Sequence, residues 1–210
     1  TGESAEGEIY LERLLNAMGS PGPEQHYAPA RVASALATVS RITGVNRHLA
    51  IAESAAQTYL SEQPSVPSRS LLAKVGLALL AVQKEDQTAA AEHYDHLLGQ
   101  RGTMIDTVTS ADRLLGLLSQ TMGNFDQAVG HFEDALAFCR KAGYRPELAW
   151  TCCDYADMLL VGARHAVPLR PDRGKAVVLL DESLTIATEL GMPPLMGRVT
   201  QRLQGIQVPP

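Results

Sequence analysis

Apolar positions recur along the chain at the spacing of helices. In residues 109–142 one apolar face contains Leu114 and Leu118, and a second contains Phe132 and Leu136. Gly123 lies between them, where a left-handed glycine commonly ends a helix. The pattern therefore predicts two antiparallel helices joined by a tight turn.

Small residues at a fixed offset indicate how such helices pair. Gly116 and Ala128 have the same separation as Ala78 and Ala90. Phe132 follows the first pair at the distance at which Tyr94 follows the second. This pattern resembles the tetratricopeptide repeat (TPR), a helix–turn–helix unit of about 34 residues. The chain departs from that family's pattern at three positions, which are Asp112 (for an aromatic residue), Ser119 (for tyrosine) and Arg140 (for proline).

The resemblance implies an all-α fold, a right-handed superhelical stack of antiparallel helix hairpins (a TPR-like α-solenoid) with about nine to ten helices. We expect residues 1–8 to form a flexible tail and residues 9–210 to form a single helical-repeat domain, with a first helix at 9–18. The predicted repeats span approximately residues 29–61, 68–99, 109–142 and 147–190, and a capping helix spans 195–206. An elongated loop is predicted at 162–172.

Composition narrows the function classes. Aromatic residues make up only 5% of the chain, which favours helices over sheets. The net charge of −5 disfavours nucleic-acid binding by this segment. The most apolar stretch, residues 71–82, is too short to span a membrane and contains Lys74. Its apolar character predicts a helix buried between neighbours.

Three cysteines, an odd number, favour reduced thiols and a cytoplasmic location. The chain does not begin with methionine, which suggests a piece of a longer polypeptide.

Motifs for enzymatic chemistry are absent. The sequence has no phosphate-binding glycine motif and no nucleophile elbow, so we expect neither catalysis nor a cofactor. His93 and His96 share a helix face and could bind a metal ion, although a solvated polar face is the simpler interpretation. Cys152 and Cys153 are adjacent on a predicted helix. We expect one in the core and the other facing a groove, with a redox or metal role as the alternative.

Most candidate partner-binding residues follow from the TPR resemblance, which implies that the first helices of the repeats line a concave, peptide-binding face. Trp150 is either a core residue or an interface anchor, and Asp154 and Asp157 are more plausibly groove residues than an acid–base pair. Arg198 and Arg202 would form a small basic strip on the terminal helix, and for all these polar residues a solvated face is the default. The full set is Arg113, Leu117, Gln120, Thr121, Trp150, Asp154, Asp157, Arg198 and Arg202.

Residues 115–195 are similar to the carboxy-terminal helical-repeat region of large bacterial signalling proteins. Those proteins join such repeats to an ATPase, a cyclase or a LuxR-type DNA-binding domain. The resemblance implies a protein- or peptide-binding module in a signalling or regulatory protein. Two alternatives stay open, namely a self-associating scaffold, such as a homodimer, and a small-ligand or metal sensor.

Overall fold

A computed structural model of the chain describes residues 12–13, 15–16, 28–62, 66–106, 109–161 and 172–207. These residues are almost entirely helical, which confirms the all-α fold class. The helices are α1 (Ala28–Thr43), α2 (Leu49–Ser61), α3 (Pro67–Gln83), α4 (Gln87–Leu97), α5 (Ala111–Thr121), α6 (Phe125–Ala142), α7 (Arg145–Val161), α8 (Arg173–Glu189) and α9 (Pro193–Gln207). Short 3-10 helices at Asn46–His48 and Leu98–Gln100 and two-residue strands β1 (Met104–Ile105) and β2 (Thr109–Ser110) complete the elements.

Contacts divide the chain into two compact units. The first reaches to Ala89 and also takes in Ile105, and the second takes in Ala90–Met104 and the residues from Thr109 onward. The predicted hairpin at 68–99 is therefore divided between the units within α4. A single repeat domain and a right-handed superhelix stay predictions.

Helices α1, α2 and α3 pack against one another in the first unit. The closest approach is at Gly76, where an added Cβ would lie 2.8 Å from the carbonyl carbon of Ala33. As the sequence predicted, α3 is largely buried, including Leu72, Val75 and Leu79. Small side chains thus allow α1 and α3 to approach closely.

In the second unit α5 pairs with α6, α7 pairs with α8, and α9 packs on α8. The predicted turn is present, and Gly123 adopts φ of 81°. Gly116 leaves room for the Phe132 ring, because a Cβ there would lie 3.1 Å from it. Helix α5 also contacts α7, and α7 contacts α9. The first, third and fifth helices of this series therefore lie side by side.

The observed helices differ from the predicted ones mainly in the residues at which they begin and end. The terminal helix begins at Pro193 rather than at residue 195. Proline suits the first turn of a helix, because the N–H groups of that turn have no acceptor within the helix and proline has no N–H. Residues 162–171 of the predicted loop and most of the predicted first helix, residues 9–18, lie outside the described residues. Within the described part of the chain, none of the helices combines the length and the apolar character needed to cross a membrane.

Candidate functional site

Six of the nine sequence-predicted residues meet where α5, α7 and α9 adjoin. We call Arg113, Glu147, Trp150, Asp154, Asp157, Arg198 and Arg202 the arginine–tryptophan cluster. Glu147 is the one member that the sequence analysis missed. The sequence gives only a weak indication of this role for Glu147, because acidic residues are common in the first turn of a helix, where they interact favourably with the helix dipole.

The inner half of the cluster is a buried ion triad. Arg113 donates from Nε to Asp154 Oδ2 at 2.8 Å and from Nη1 to Glu147 Oε2 at 2.9 Å. The Arg113 side chain is only 9% exposed and that of Asp154 is fully buried. Burial opposes the charge of Arg113, but the Glu147 and Asp154 carboxylates outweigh it and raise the Arg113 pKa. These residues are therefore not the solvated face that was the default interpretation.

Glu147 also fixes the start of α5. Its Oε1 accepts hydrogen bonds from the Ser110 N–H at 2.6 Å and from the Thr109 hydroxyl at 2.9 Å. Ser110 in turn caps α5, because its hydroxyl accepts a hydrogen bond from the Arg113 N–H. One carboxylate thus links the first turn of α7 to the first turn of α5.

The outer half of the cluster lies between α7 and α9. Arg198 Nη2 donates to Asp157 Oδ2 at 2.7 Å, and Arg202 Nε donates to Asp157 Oδ1 at 2.6 Å. Arg198 also lies 3.4 Å from Asp154 Oδ1, which connects the two halves. The spacing of two arginines one helical turn apart therefore gives a strip that is partly neutralised by Asp157.

Two guanidinium groups lie close to the Trp150 ring. The guanidinium carbons of Arg113 and Arg198 are 5.7 Å and 5.9 Å from its ring centroid, within the range of cation–π attraction. Trp150 is only 9% exposed, so its position is that of a core residue, the first of the two interpretations drawn from the sequence. Its role in partner binding stays a prediction.

The three remaining predicted residues, Leu117, Gln120 and Thr121, lie outside the cluster. Leu117 is buried, and the Thr121 hydroxyl donates to the Leu117 carbonyl within the same helix. Gln120 and Thr121 are half-buried at the end of α5. The structure does not bring these three residues into the ion-pair network of the cluster.

The cysteines differ from expectation. Both Cys152 and Cys153 are fully buried, so neither faces a groove, because α7 packs against α5, α6, α8 and α9. Burial raises the pKa of Cys153 to about 12 and that of Cys139 to about 11. Burial likewise raises the Cys152 pKa. Their described surroundings are those of unreactive core thiols.

His93 and His96 remain close, with ring centroids 6.5 Å apart. Within the described residues, no third histidine, cysteine or carboxylate joins them to form a metal-binding group. A different trio does meet: Asp112, His131 and Asp134. The sequence signal for it was the spacing of His131 and Asp134, which places both on one face of α6.

Comparison with known proteins adds no relative. No protein-family description matches the chain, and neither a characterised protein nor a solved structure is significantly similar to it. The TPR resemblance therefore stays a prediction drawn from the spacing of small and large residues.

Proposed function

We propose that the chain is a non-enzymatic interaction module that binds a protein or peptide segment at the α7–α9 edge of the arginine–tryptophan cluster. In this proposal the ligand presents a carboxylate to Arg198 and Arg202. The module would belong to a larger signalling or regulatory protein, as the resemblance of residues 115–195 suggests.

The distribution of charge carries this proposal. The outer half of the cluster has two guanidinium groups and one carboxylate, Asp157, and Arg198 also reaches Asp154 of the inner half. The inner half has the opposite balance, but it is buried and its charges are matched by hydrogen bonds. The accessible part of the cluster is thus the part that attracts an acidic group.

Arg202 has the capacity to make a further bond. Its Nε and Nη2 groups point to Asp157, and in the described part of the chain its Nη1 group has no acceptor. The Arg202 side chain is 39% exposed. A ligand carboxylate could therefore bind Nη1 without breaking the existing ion pair, and charge-assisted bonds of this kind are the stronger ones.

The neighbouring residues suit an interface. Asp157 holds both guanidinium groups, so less side-chain entropy is lost when a ligand binds. Arginine and tryptophan are also the residue types most enriched among interface residues that dominate affinity. A rigid arginine pair beside a buried tryptophan supports recognition of a short acidic segment.

The proposal is tested by selecting ligands from a random-peptide phage library. We expect enriched peptides to share an Asp or Glu, and we expect Arg202→Gln to weaken the best peptide about tenfold, as for an interface residue worth about 1.4 kcal/mol. Arg173→Gln is the matched control, because Arg173 is an exposed arginine on α8 outside the cluster. Equal affinity of the two variants, or selected peptides without acidic residues, would refute the proposal.

A further inference from the structure

A second cluster in the same unit, between the first turn of α5 and the middle of α6, has the features of a cation site. Asp112 lies in the first turn of α5, and His131 and Asp134 lie on one face of α6. One potential ligand atom from each residue lies within 4.8 Å of the others. The three residues offer one imidazole nitrogen and two carboxylate oxygens, a donor set that zinc accepts.

Two of the ligand atoms face each other without a hydrogen bond. Asp112 Oδ1 and His131 Nδ1 are both buried, and neither has a hydrogen-bond partner in the described part of the chain. They lie 3.6 Å apart, and both side chains are more than nine-tenths buried. Two ligand atoms bound to tetrahedral zinc at 2.0–2.2 Å are separated by about 3.3–3.6 Å. The observed separation therefore fits one shared ion.

Neighbouring groups orient both ligands. Tyr94 Oη lies 2.8 Å from His131 Nε2. In the proposed metal-bound form Nε2–H donates to Tyr94, and the lone pair of Nδ1 is then free to bind the ion beside Asp112. The Gly102 N–H donates to Asp112 Oδ2 at 2.6 Å, which leaves Oδ1 directed at the imidazole. Such supporting hydrogen bonds are a regular feature of metal sites.

Arg101 is the cation that would compete for this site. Its Nη2 donates to Asp134 Oδ2 at 2.6 Å, and its Nε lies 3.5 Å from Asp112 Oδ1. The Arg101 side chain is 53% exposed, so it can turn into solvent when another cation arrives. Its present position indicates that the two carboxylates attract positive charge.

We propose that Asp112, His131 and Asp134 bind a divalent transition-metal ion of the zinc class, which displaces the Arg101 guanidinium. His131 binds through Nδ1, and each aspartate binds through one oxygen. A water molecule completes the tetrahedron. The ion joins α5 to α6 and, through Tyr94 and Gly102, holds α4 and the turn at Gly102 against them.

The test is isothermal titration of the full chain, freed of metal by a chelator, with zinc chloride. We expect one zinc ion per chain and a melting temperature that rises with zinc. Asp134→Asn, at an exposed position, should weaken binding at least tenfold. Arg101→Gln should strengthen binding about two- to five-fold, because it removes an ion pair worth about 0.5–1 kcal/mol. A non-specific surface site would not respond to Arg101 in this direction.

The matched control is the double variant His93→Gln, His96→Gln, which removes the pair that the sequence suggested. We expect its zinc affinity to equal that of the unsubstituted chain. The proposal is wrong if zinc produces no saturable heat, if Asp134→Asn binds as well as the unsubstituted chain, if the double variant loses binding, or if Arg101→Gln does not bind more tightly.

Discussion

Replacing Arg113 by methionine tests whether the buried triad holds the second unit together. The substitution removes the partner of two carboxylates whose side chains are at most 6% exposed. Breaking a buried ion pair from one side typically costs about 3–5 kcal/mol, because the remaining charge is left without compensation.

The surroundings of each carboxylate decide where in this range the loss falls. Glu147 keeps the hydrogen bonds from Ser110 and Thr109, and Asp154 keeps Arg198 at 3.4 Å. Both carboxylates are thus partly compensated after the change. We therefore expect the free energy of unfolding to fall by about 3 kcal/mol, at the lower end of the range.

This loss is measured by urea unfolding, with tryptophan fluorescence as the probe. Trp150 is the chain's only tryptophan and reports on the second unit. The matched control is Arg140→Met, which removes an exposed arginine paired with Glu182 at 2.6 Å. We expect that control to lose no more than about 1 kcal/mol.

A rescue variant separates lost charge pairing from lost packing. Adding Glu147→Gln and Asp154→Asn to Arg113→Met removes the unpaired charges, so most of the stability should return. If Arg113→Met unfolds at the same urea concentration as Arg140→Met, or if the triple variant is no more stable than Arg113→Met, the triad does not have the role described.

Three further predictions concern the same unit. Gly116→Val should lower the free energy of unfolding by about 1–3 kcal/mol, measured by urea titration, because its side chain would overlap the Phe132 ring. Although burial opposes it, His131 and the Gly102 N–H hold the Asp112 pKa below its ordinary value of 3.8. The ionised Asp112 carboxylate therefore contributes fully to stability above pH 3.8, and this contribution is lost as the pH falls through the lowered pKa. Below that pKa the unsubstituted chain and Asp112→Asn should have similar stabilities. Cys153 should resist iodoacetamide at neutral pH until urea unfolds the chain, because it is buried and its pKa is raised.

Local sequence patterns predicted the helices well because each pattern depends on neighbours in the chain. Gly123 ends α5 in the left-handed conformation that its lack of a side chain permits. Gly116 and Phe132 fit together as the fixed offset indicated. The predicted start of α9 at residue 195 was wrong because Pro193 and Pro194 form the first turn of the helix.

The candidate site was harder to predict, because burial depends on residues far apart in the sequence. Resemblance to a repeat family selected Arg113 and Asp154, and helical spacing selected Arg198, but their burial follows from how α5, α7 and α9 adjoin. Glu147 joins them across that same contact, and no local pattern distinguishes it from a solvated acid. The meeting of Asp112 with His131 was missed for the same reason.

A charge exchange across the proposed interface tests the central claim most directly. The best acidic peptide from the phage selection is compared with a version in which its shared acid is replaced by lysine. Both peptides are measured by fluorescence anisotropy against the unsubstituted chain and Arg202→Glu. We predict that Arg202→Glu loses the acidic peptide and binds the lysine peptide more tightly than the unsubstituted chain does. Undiminished binding of the acidic peptide by Arg202→Glu would contradict recognition at the α7–α9 edge.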